Sequence, residues 1–214
     1  MRWLQLILVP FGIVILIALV IAGHVYYNGF SHPVSAPKRA KRISNQEFSK
    51  INEKALLLKI FASERKCNKK IFFLVDMSLP SGKNRFFVYN TEKDSVINAG
   101  QVAHGHGNNG FSHYAIFSNK PGSSCTALGK YKIGAKYIGT YGVAYKLYGL
   151  DMSNSNAFAR NIVLHAHDCV PAGETFPYPI CNSSGCAMVS PGFLKEIEPL
   201  VDTCRQPVLL WVFN

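Results

Sequence analysis

The sequence predicts a mainly β domain, a sandwich or a barrel, that follows one helix and an apolar N-terminal segment. Three observations support this prediction: an uncharged N-terminal stretch, a stripe of apolar residues at helical spacing, and a series of short apolar runs separated by turn residues. They divide the chain into an anchor at residues 1–30, a basic linker at 31–43 and a folded domain at 44–214. A chain of 214 residues has room for one sizeable domain with such accessories.

The N-terminal segment is long enough to cross a membrane. Leu4–Gly23 is a stretch of about twenty residues without a charge. Cleavable signal peptides usually have a shorter apolar core, which favours an uncleaved transmembrane helix. Val20 and Ala22 nevertheless offer a small-residue cleavage site. An anchor and a cleaved signal therefore both stay open, with the anchor preferred.

Positive charge is concentrated in the stalk that follows. The net charge is +11, and residues 38–70 hold eleven Lys and Arg against three Glu, whereas residues 71–214 hold eleven basic and nine acidic side chains. We interpret the stalk as a solvated face near anionic lipid headgroups. It lacks an aromatic-interleaved basic patch, so we expect no nucleic-acid partner. By the positive-inside rule, Pro37–Arg42 would stay in the cytoplasm.

A helix is predicted at the start of the folded domain. Ser44 and Glu47 have the spacing of a capping box. An apolar stripe at helical spacing follows, formed by Phe48, Ile51, Ala55, Leu58 and Ala62. This stripe predicts a helix that packs against the domain behind it.

The remainder of the domain reads as strands and one further helix. The predicted strands are KIFFLVDMS, NRFFVYNTE, DSVINAGQVAHG, HYAIFSN, GKYKIGAKY, VAYKLYGL, NIVLHAH and VLLWVF. Gly, Pro, Asn and Ser separate them at short intervals, as in a sandwich or barrel. Gly192–Cys204 is predicted to form a helix that breaks near Pro199.

Six cysteines allow two interpretations of Cys186. The set is even: Cys67, Cys125, Cys169, Cys181, Cys186 and Cys204. No CxxC pair or zinc-type spacing occurs, so no metal is expected. If all six cysteines pair, Cys186 is structural.

The stretch NSSGCAMVSP gives Cys186 a context suited to a nucleophile. Gly185 permits a sharp turn and close approach of a substrate carbonyl, and backbone N–H groups in such a turn can stabilise an oxyanion. A thiol nucleophile needs a base, usually His. His165 ends an apolar run upstream, and His167 faces the same side of that strand. A satisfied core histidine is the alternative interpretation of His165.

These motifs together resemble the L,D-transpeptidase catalytic domain, which has the YkuD-like fold. The resemblance runs from about Lys54 to the end of the chain and includes VAHGHGNNG, FSNKPGSSCTALGKYKIG, KYIGTYGVAYKLYGLD, IVLHAHD and SSGCAMV. His precedes Cys, as in that family, whereas papain-like hydrolases have the reverse order. The family usually has Gly where this chain has Ala166, Arg at Asn182 and Pro at Ala187. In the wider family, His often occupies the position of Ser184.

The resemblance implies a mainly β, L,D-transpeptidase-type sandwich and an activity on peptidoglycan stem peptides. Cys186 would be the nucleophile, His165 the base and Gly185 part of the oxyanion site. A backbone carbonyl near Ala166 would orient His165. Substrate contacts are expected from His104, Ser183 and Ser184, and no cofactor is implied. Cys169 and Cys181 lie between the catalytic residues and are candidates for a disulfide.

Three functions stay open at this point. A transpeptidase would form 3–3 crosslinks, a carboxypeptidase on the same scaffold would hydrolyse the same bond, and a non-catalytic wall-binding domain would hold Cys186 in a disulfide. The implied location is the periplasmic side of a bacterial inner membrane, or secretion if the signal is cleaved. This location conflicts with the charge bias of Pro37–Arg42.

Overall fold

The computed structural model describes residues 17–20 and 44–214. Residues 17–20 are helical. The rest of the predicted anchor at 1–30 and the linker at 31–43 lie outside the described residues. Within the described ranges, no helix combines the length and the apolar character that a membrane span needs.

The first helix of the folded part, α1 (Asn45–Glu64), begins as the sequence predicts. The Ser44 hydroxyl accepts from the Glu47 N–H, and the Glu47 carboxylate accepts from the Ser44 N–H, which completes the capping box. The predicted stripe is buried except for Phe48, which is exposed one turn from the helix start. The first turn therefore lies beyond the part of the sheet that α1 covers.

Nine strands form the body of the domain. They are β1 (Ile71–Asp76), β2 (Phe86–Asn90), β3 (Ser95–Gly100), β4 (Val102–Ala103), β5 (Gly129–Gly139), β6 (Gly142–Gly149), β7 (Val163–Ala166), β8 (Ala187–Val189) and β9 (Leu209–Phe213). Their order in the sheet is β3-β2-β1-β9-β5-β6-β7-β8-β4. The predicted strand HYAIFSN is wrong: this segment is a loop with one isolated bridge, from Phe117 to Thr126.

The nine strands form one continuous hydrogen-bonded sheet, and the predicted mainly β class with a preceding helix is confirmed. β3 and β4 are at opposite ends of the strand order, yet only Gln101 separates them in the chain. The two ends of the sheet must therefore meet. The sheet therefore curls, and one of its faces encloses the apolar side chains of the main core.

The enclosed face of the sheet carries the main core. Side chains from eight of the nine strands contribute, among them Phe73, Val88, Tyr131, Leu147, Leu164 and Val189. The second long helix, α2 (Pro191–Asp202), adds Phe193, Leu194 and Ile197 to this core. The opposite face of β1, β2 and β9 is covered by α1.

Helix α2 does not break at Pro199, contrary to the prediction. The helix continues to Asp202, and the Thr203 N–H donates to the Pro199 carbonyl oxygen. Proline removes one intrahelical hydrogen bond, to the carbonyl of Lys195. Lys195 is exposed, so water can bond to its free carbonyl oxygen and the helix can continue through Pro199.

Candidate active site

Strands β7 and β8 bring His165 and Cys186 to one region of the sheet. The two strands are parallel, with Leu164 opposite Ala187 and His165 opposite Met188. Ala187 belongs to the enclosed core. Cys186, immediately before β8, lines a small cavity together with Tyr131 and Leu147 of that core. His165, in contrast, alternates with the core residue Leu164 and so lies on the other face. The two residues are offset by two positions along the strands, about 7 Å. The topology therefore brings a thiol and an imidazole to neighbouring positions on adjacent strands.

The hydrogen bond of His165 defines which ring nitrogen is available as a base. Its Nδ1 lies 3.0 Å from the carbonyl oxygen of Ala166. A carbonyl oxygen only accepts, so Nδ1 carries the proton and Nε2 keeps its lone pair. This confirms the expectation that a backbone carbonyl at Ala166 orients the ring.

Tyr141 covers the imidazole from the tip of the β5–β6 hairpin. Its ring stacks on His165 with centroids 5.4 Å apart and planes at 23°. The same ring meets His167 edge to face at 5.1 Å. Both histidines thus face one side, as the strand alternation predicts. Tyr141 itself is 61% exposed, so it forms a wall between His165 and solvent.

The electrostatics favour a neutral pair over an ion pair in the resting site. Burial raises the pKa of the Cys186 thiol, although a hydrogen bond from the Val163 backbone and the charge of Arg160 oppose this. Burial also lowers the pKa of His165, against the hydrogen bond to Ala166, and His167 lowers it further. At neutral pH the site therefore holds a thiol and a neutral imidazole. The thiol donates to the Asn161 carbonyl oxygen at 3.8 Å.

Gly185 is required by the backbone before the cysteine. Its φ is +110°, and a Cβ at this position would lie 2.6 Å from the Cys125 carbonyl oxygen. Its N–H donates to the Ser183 hydroxyl at 3.1 Å. The Gly185 N–H is therefore already bonded within the turn, and its part in an oxyanion site stays a prediction.

The predicted substrate-binding serines have different positions. Ser183 is buried, and its hydroxyl donates to the Cys186 carbonyl oxygen at 2.8 Å, so it shapes the turn from inside. Ser184 is exposed beside it. The Ser184 side chain is therefore accessible to a substrate, and its contact with one stays a prediction. A substrate contact from Ser183 also stays a prediction, and the burial of Ser183 does not favour it.

His104 lies beneath this turn instead of at its surface. Its ring is 1% exposed, and Nδ1 accepts from Arg85 Nη2 at 2.8 Å. Burial, followed by the charge of Arg85, lowers the pKa of His104 to about 4. The backbone carbonyl of His104 accepts from the Ser183 N–H. His104 therefore supports the turn before Cys186 through its backbone.

The connection between β7 and β8 contains the predicted disulfide. Cys169 and Cys181 are bonded, with their Cα atoms 6.0 Å apart, which confirms the hypothesis from the sequence. Val170 and Ile180, inside this loop, pack with Ala103 of β4 and Met188 of β8 in a small cluster of their own. The connection is thereby fixed to the sheet beside the candidate site. Cys186 is a free thiol.

Two residues near the site were missed by sequence reasoning. Arg160 precedes His165 by five positions and contacts the loop behind Gly185. Arg85 is fully buried and holds His104. The identity of a residue does not show whether it is buried. The only sign in the sequence that Arg85 is buried is its position beside an apolar run, NRFFVYN.

Comparison with protein families gives one match over most of the chain. The family model described as the L,D-transpeptidase catalytic domain matches residues 41–213. A search of curated proteins finds no match.

Solved structures with a similar fold come from several bacteria. The helical cell shape determining protein Pgp2 from Campylobacter jejuni is 15% identical, with a TM-score of 0.45, over 68% of this chain and 48% of that one. An L,D-transpeptidase from Xylanimonas cellulosilytica is 14% identical, with a TM-score of 0.39, over 67% and 60% of the two chains. An L,D-transpeptidase from Mycobacterium smegmatis is 13% identical, with a TM-score of 0.39, over 68% and 59%. The chain thus spans about half to three fifths of the length of these proteins.

Proposed function

Because the chain belongs to the L,D-transpeptidase catalytic domain family, we propose that it is a cysteine-dependent L,D-transpeptidase that acts on peptidoglycan stem peptides. One observation supports this most directly. The parallel β7–β8 pair brings a free thiol and an imidazole to neighbouring positions on adjacent strands, and the Ala166 carbonyl fixes the imidazole with Nε2 unprotonated. These are the parts that acyl transfer through a thioester requires.

In the proposed acylation, Cys186 attacks the carbonyl between the third stem residue, at the L-centre of diaminopimelate, and the fourth, D-Ala. The thiol proton passes to His165 Nε2 as the S–C bond forms. The tetrahedral intermediate then collapses, and His165 returns the proton to the departing D-Ala amine. The Ala166 carbonyl holds the imidazolium that forms between these steps. A thioester on Cys186 remains.

The second half of the reaction releases the thioester. An amine of a second stem loses its proton to His165 and attacks the thioester carbonyl, and the Cys186 thiol leaves as the 3–3 crosslink forms. If water attacks instead, the product is a tripeptide and the enzyme is an L,D-carboxypeptidase. Both routes use the same two side chains, so the acceptor alone distinguishes them.

The neutral state of the pair determines when proton transfer occurs. Since burial raises the pKa of Cys186 and lowers that of His165, the thiolate forms only as substrate is attacked. The imidazole is then a general base and not a permanent counter-ion. This suits a site that must keep its thiol unreactive between turnovers.

The non-catalytic alternative places Cys186 in a disulfide. In the described chain the disulfide joins Cys169 to Cys181, and Cys186 is free, which supports the enzyme. A structural disulfide also fits an oxidising compartment outside the cytoplasm. We therefore propose that the domain lies in the periplasm, held by residues 1–30 or released after cleavage.

The test is mass spectrometry of muropeptides after incubation with the full chain in detergent. Tetrapeptide-bearing muropeptides are the substrate, Cys186→Ala is the inactive variant, and Cys204→Ala is the control that removes another free thiol. We expect 3–3 dimers from the native protein and from Cys204→Ala, and none from Cys186→Ala. Tripeptide monomers alone would identify a carboxypeptidase. Unchanged substrate with a folded native protein would reject the enzyme.

A further inference from the structure

Arg160 joins two loops behind the candidate nucleophile. Its Nη1 donates to the Ser118 carbonyl oxygen at 2.9 Å, and its Nη2 donates to the Cys125 carbonyl oxygen at 2.6 Å. A longer bond, 3.4 Å, joins Nη2 to the Ser123 hydroxyl. The planar fork of an arginine can hold several acceptors at once, which a lysine cannot. Arg160 therefore fixes the segment from Ser118 to Cys125 against the turn that precedes β7.

The same guanidinium lies beside the residue before Cys186. A Cβ built on Gly185 would be 3.1 Å from Arg160 Nη2 and 2.6 Å from the Cys125 carbonyl oxygen. The negative end of this carbonyl therefore faces the Gly185–Cys186 backbone. By donating to it, Arg160 neutralises a dipole that would oppose negative charge on the sulfur.

Asn161, the next residue, contacts the sulfur directly. It has a left-handed φ of 55°, and its carbonyl oxygen accepts from the Cys186 thiol at 3.8 Å. Ile162 follows, with its Cδ1 3.1 Å from the Gly185 Cβ position. The Gly185–Cys186 turn therefore packs against residues 160–162.

Two side chains act electrostatically on Cys186. Arg160 lies in the turn before β7 and carries a positive charge. Tyr131 of β5 interacts with both Arg160 and Cys186, and burial raises the pKa of its hydroxyl, so it is neutral. Arg160 therefore supplies positive charge to a thiol whose other titratable neighbour is neutral at pH 7.

We infer that Arg160 is the positioning residue of the nucleophile: its charge beside Gly185, and its hold on the Cys125 carbonyl, stabilise the Cys186 thiolate when it forms. This inference rests on the proposed role of Cys186 as nucleophile and goes beyond it. Arg160 acts on the sulfur through the Cys125 carbonyl and the Gly185 backbone, without contacting the substrate.

The electrostatic direction agrees with the geometry. The charge of Arg160 lowers the pKa of Cys186, against the larger effect of burial, which raises it. Without the arginine, the pKa of Cys186 would rise further, because less charge would oppose the effect of burial. The thiol would then need a higher pH to ionise.

The test measures thiolate formation without turnover. The full chain in detergent is alkylated with iodoacetamide between pH 6 and 10, and peptide mass spectrometry quantifies Cys186 alone. In Arg160→Gln, we expect the midpoint of Cys186 alkylation to rise by about half a pH unit or more, which is about threefold less thiolate at neutral pH. In Arg160→Lys, which keeps the charge, the midpoint should stay near that of the native protein. Arg205→Gln, an exposed charge loss on the loop after α2, is the matched control.

Thermal melts establish that each variant is folded. An unchanged midpoint in folded Arg160→Gln would overturn the inference. If that variant does not fold, Arg160→Met takes its place as the uncharged variant: a midpoint raised by half a pH unit or more would support the inference, and an unchanged midpoint would overturn it. Because alkylation needs no peptide substrate, a failure of the transpeptidase proposal would appear separately, in the muropeptide assay.

Discussion

His104 and His165 occur in similar sequences and have opposite surroundings. VAHGHG and VLHAHD each place a histidine at the end of an apolar strand, two positions before a second one. Both rings are buried, and burial lowers both pKa values. The Nδ1 of His104 accepts from Arg85, whereas the Nδ1 of His165 donates to the Ala166 carbonyl. The lone pair of His104 is therefore used in the bond from Arg85, whereas that of His165, on Nε2, is free to accept a proton.

The difference shows that the partner of one ring nitrogen decides the chemistry of the other. Arg85 is a permanent donor, so it holds His104 in the tautomer with its proton on Nε2. That ring has no lone pair to offer a substrate. The Ala166 carbonyl does the reverse for His165 and prepares Nε2 as a base.

The largest expected effect is on turnover. His165→Asn removes the base, so kcat/KM on tetrapeptide muropeptides should fall by about 10³-fold. His104→Asn should lower it by less than about tenfold, because that ring takes no proton in the reaction. Product formation by mass spectrometry, with both variants checked for folding, measures the two values. Equal losses would remove the distinction between the histidines.

The next effect is on stability. Arg85→Met leaves the Val102 and Leu79 carbonyls and His104 without their donor, so the free energy of unfolding should fall by about 3 kcal/mol. Urea denaturation measures it. Lys83→Met, nearby and only partly buried, is the control and should change stability by less than about 0.5 kcal/mol. A small effect of Arg85→Met would mean that His104 does not depend on it.

A pH series sharpens the same contrast. The folded pKa of His104 is about 4, below the ordinary value of 6.5, so the unfolded chain binds more protons between these values. Its contribution to stability is complete above pH 6.5 and is lost as the pH falls to 4, by up to about 3 kcal/mol. Urea unfolding at each pH should therefore show a shallower dependence in His104→Asn than in the native protein. Parallel curves would contradict the lowered pKa.

The smallest expected effect concerns the ring over His165. Stacked aromatic contacts contribute about 1 kcal/mol, so Tyr141→Ser should lower kcat/KM by about fivefold, whereas Tyr141→Phe should keep it. Losing the ring also admits water to His165, so its pKa should rise toward the ordinary value. The acid limb of the pH–rate profile would then move to higher pH. A limb that stays in place would show that Tyr141 does not shield the imidazole.

The sequence predicts those parts of the fold that local patterns determine. The capping box and stripe of α1 are confirmed, as are most strands, because apolar spacing and turn residues act over a few positions. β8 was missed, since three residues carry little periodicity. Curling of the sheet also depends on pairings such as Phe72 with Leu209, which no local pattern reveals.

The candidate site was predictable in its residues and less so in its contacts. The Cys169–Cys181 disulfide, proposed from the position of both cysteines in one loop, is confirmed, whereas His165 and Cys186, proposed from the motif order, stay predictions as catalytic residues. The burial of His104 and the bond from Gly185 to Ser183 depend on which loops meet in space. The same holds for Arg160, whose partners lie 35 to 42 positions away.

The position of β9 has a consequence for how the domain forms. This strand, residues 209–213, lies between β1 and β5 in the middle of the sheet, parallel to the first and antiparallel to the second. Until those residues have been synthesised, only the two-residue strand β4, which pairs with β8, links the β1–β3 segment to the β5–β8 segment. Completion of the sheet is therefore a late event in synthesis, because an interior strand is the last one made.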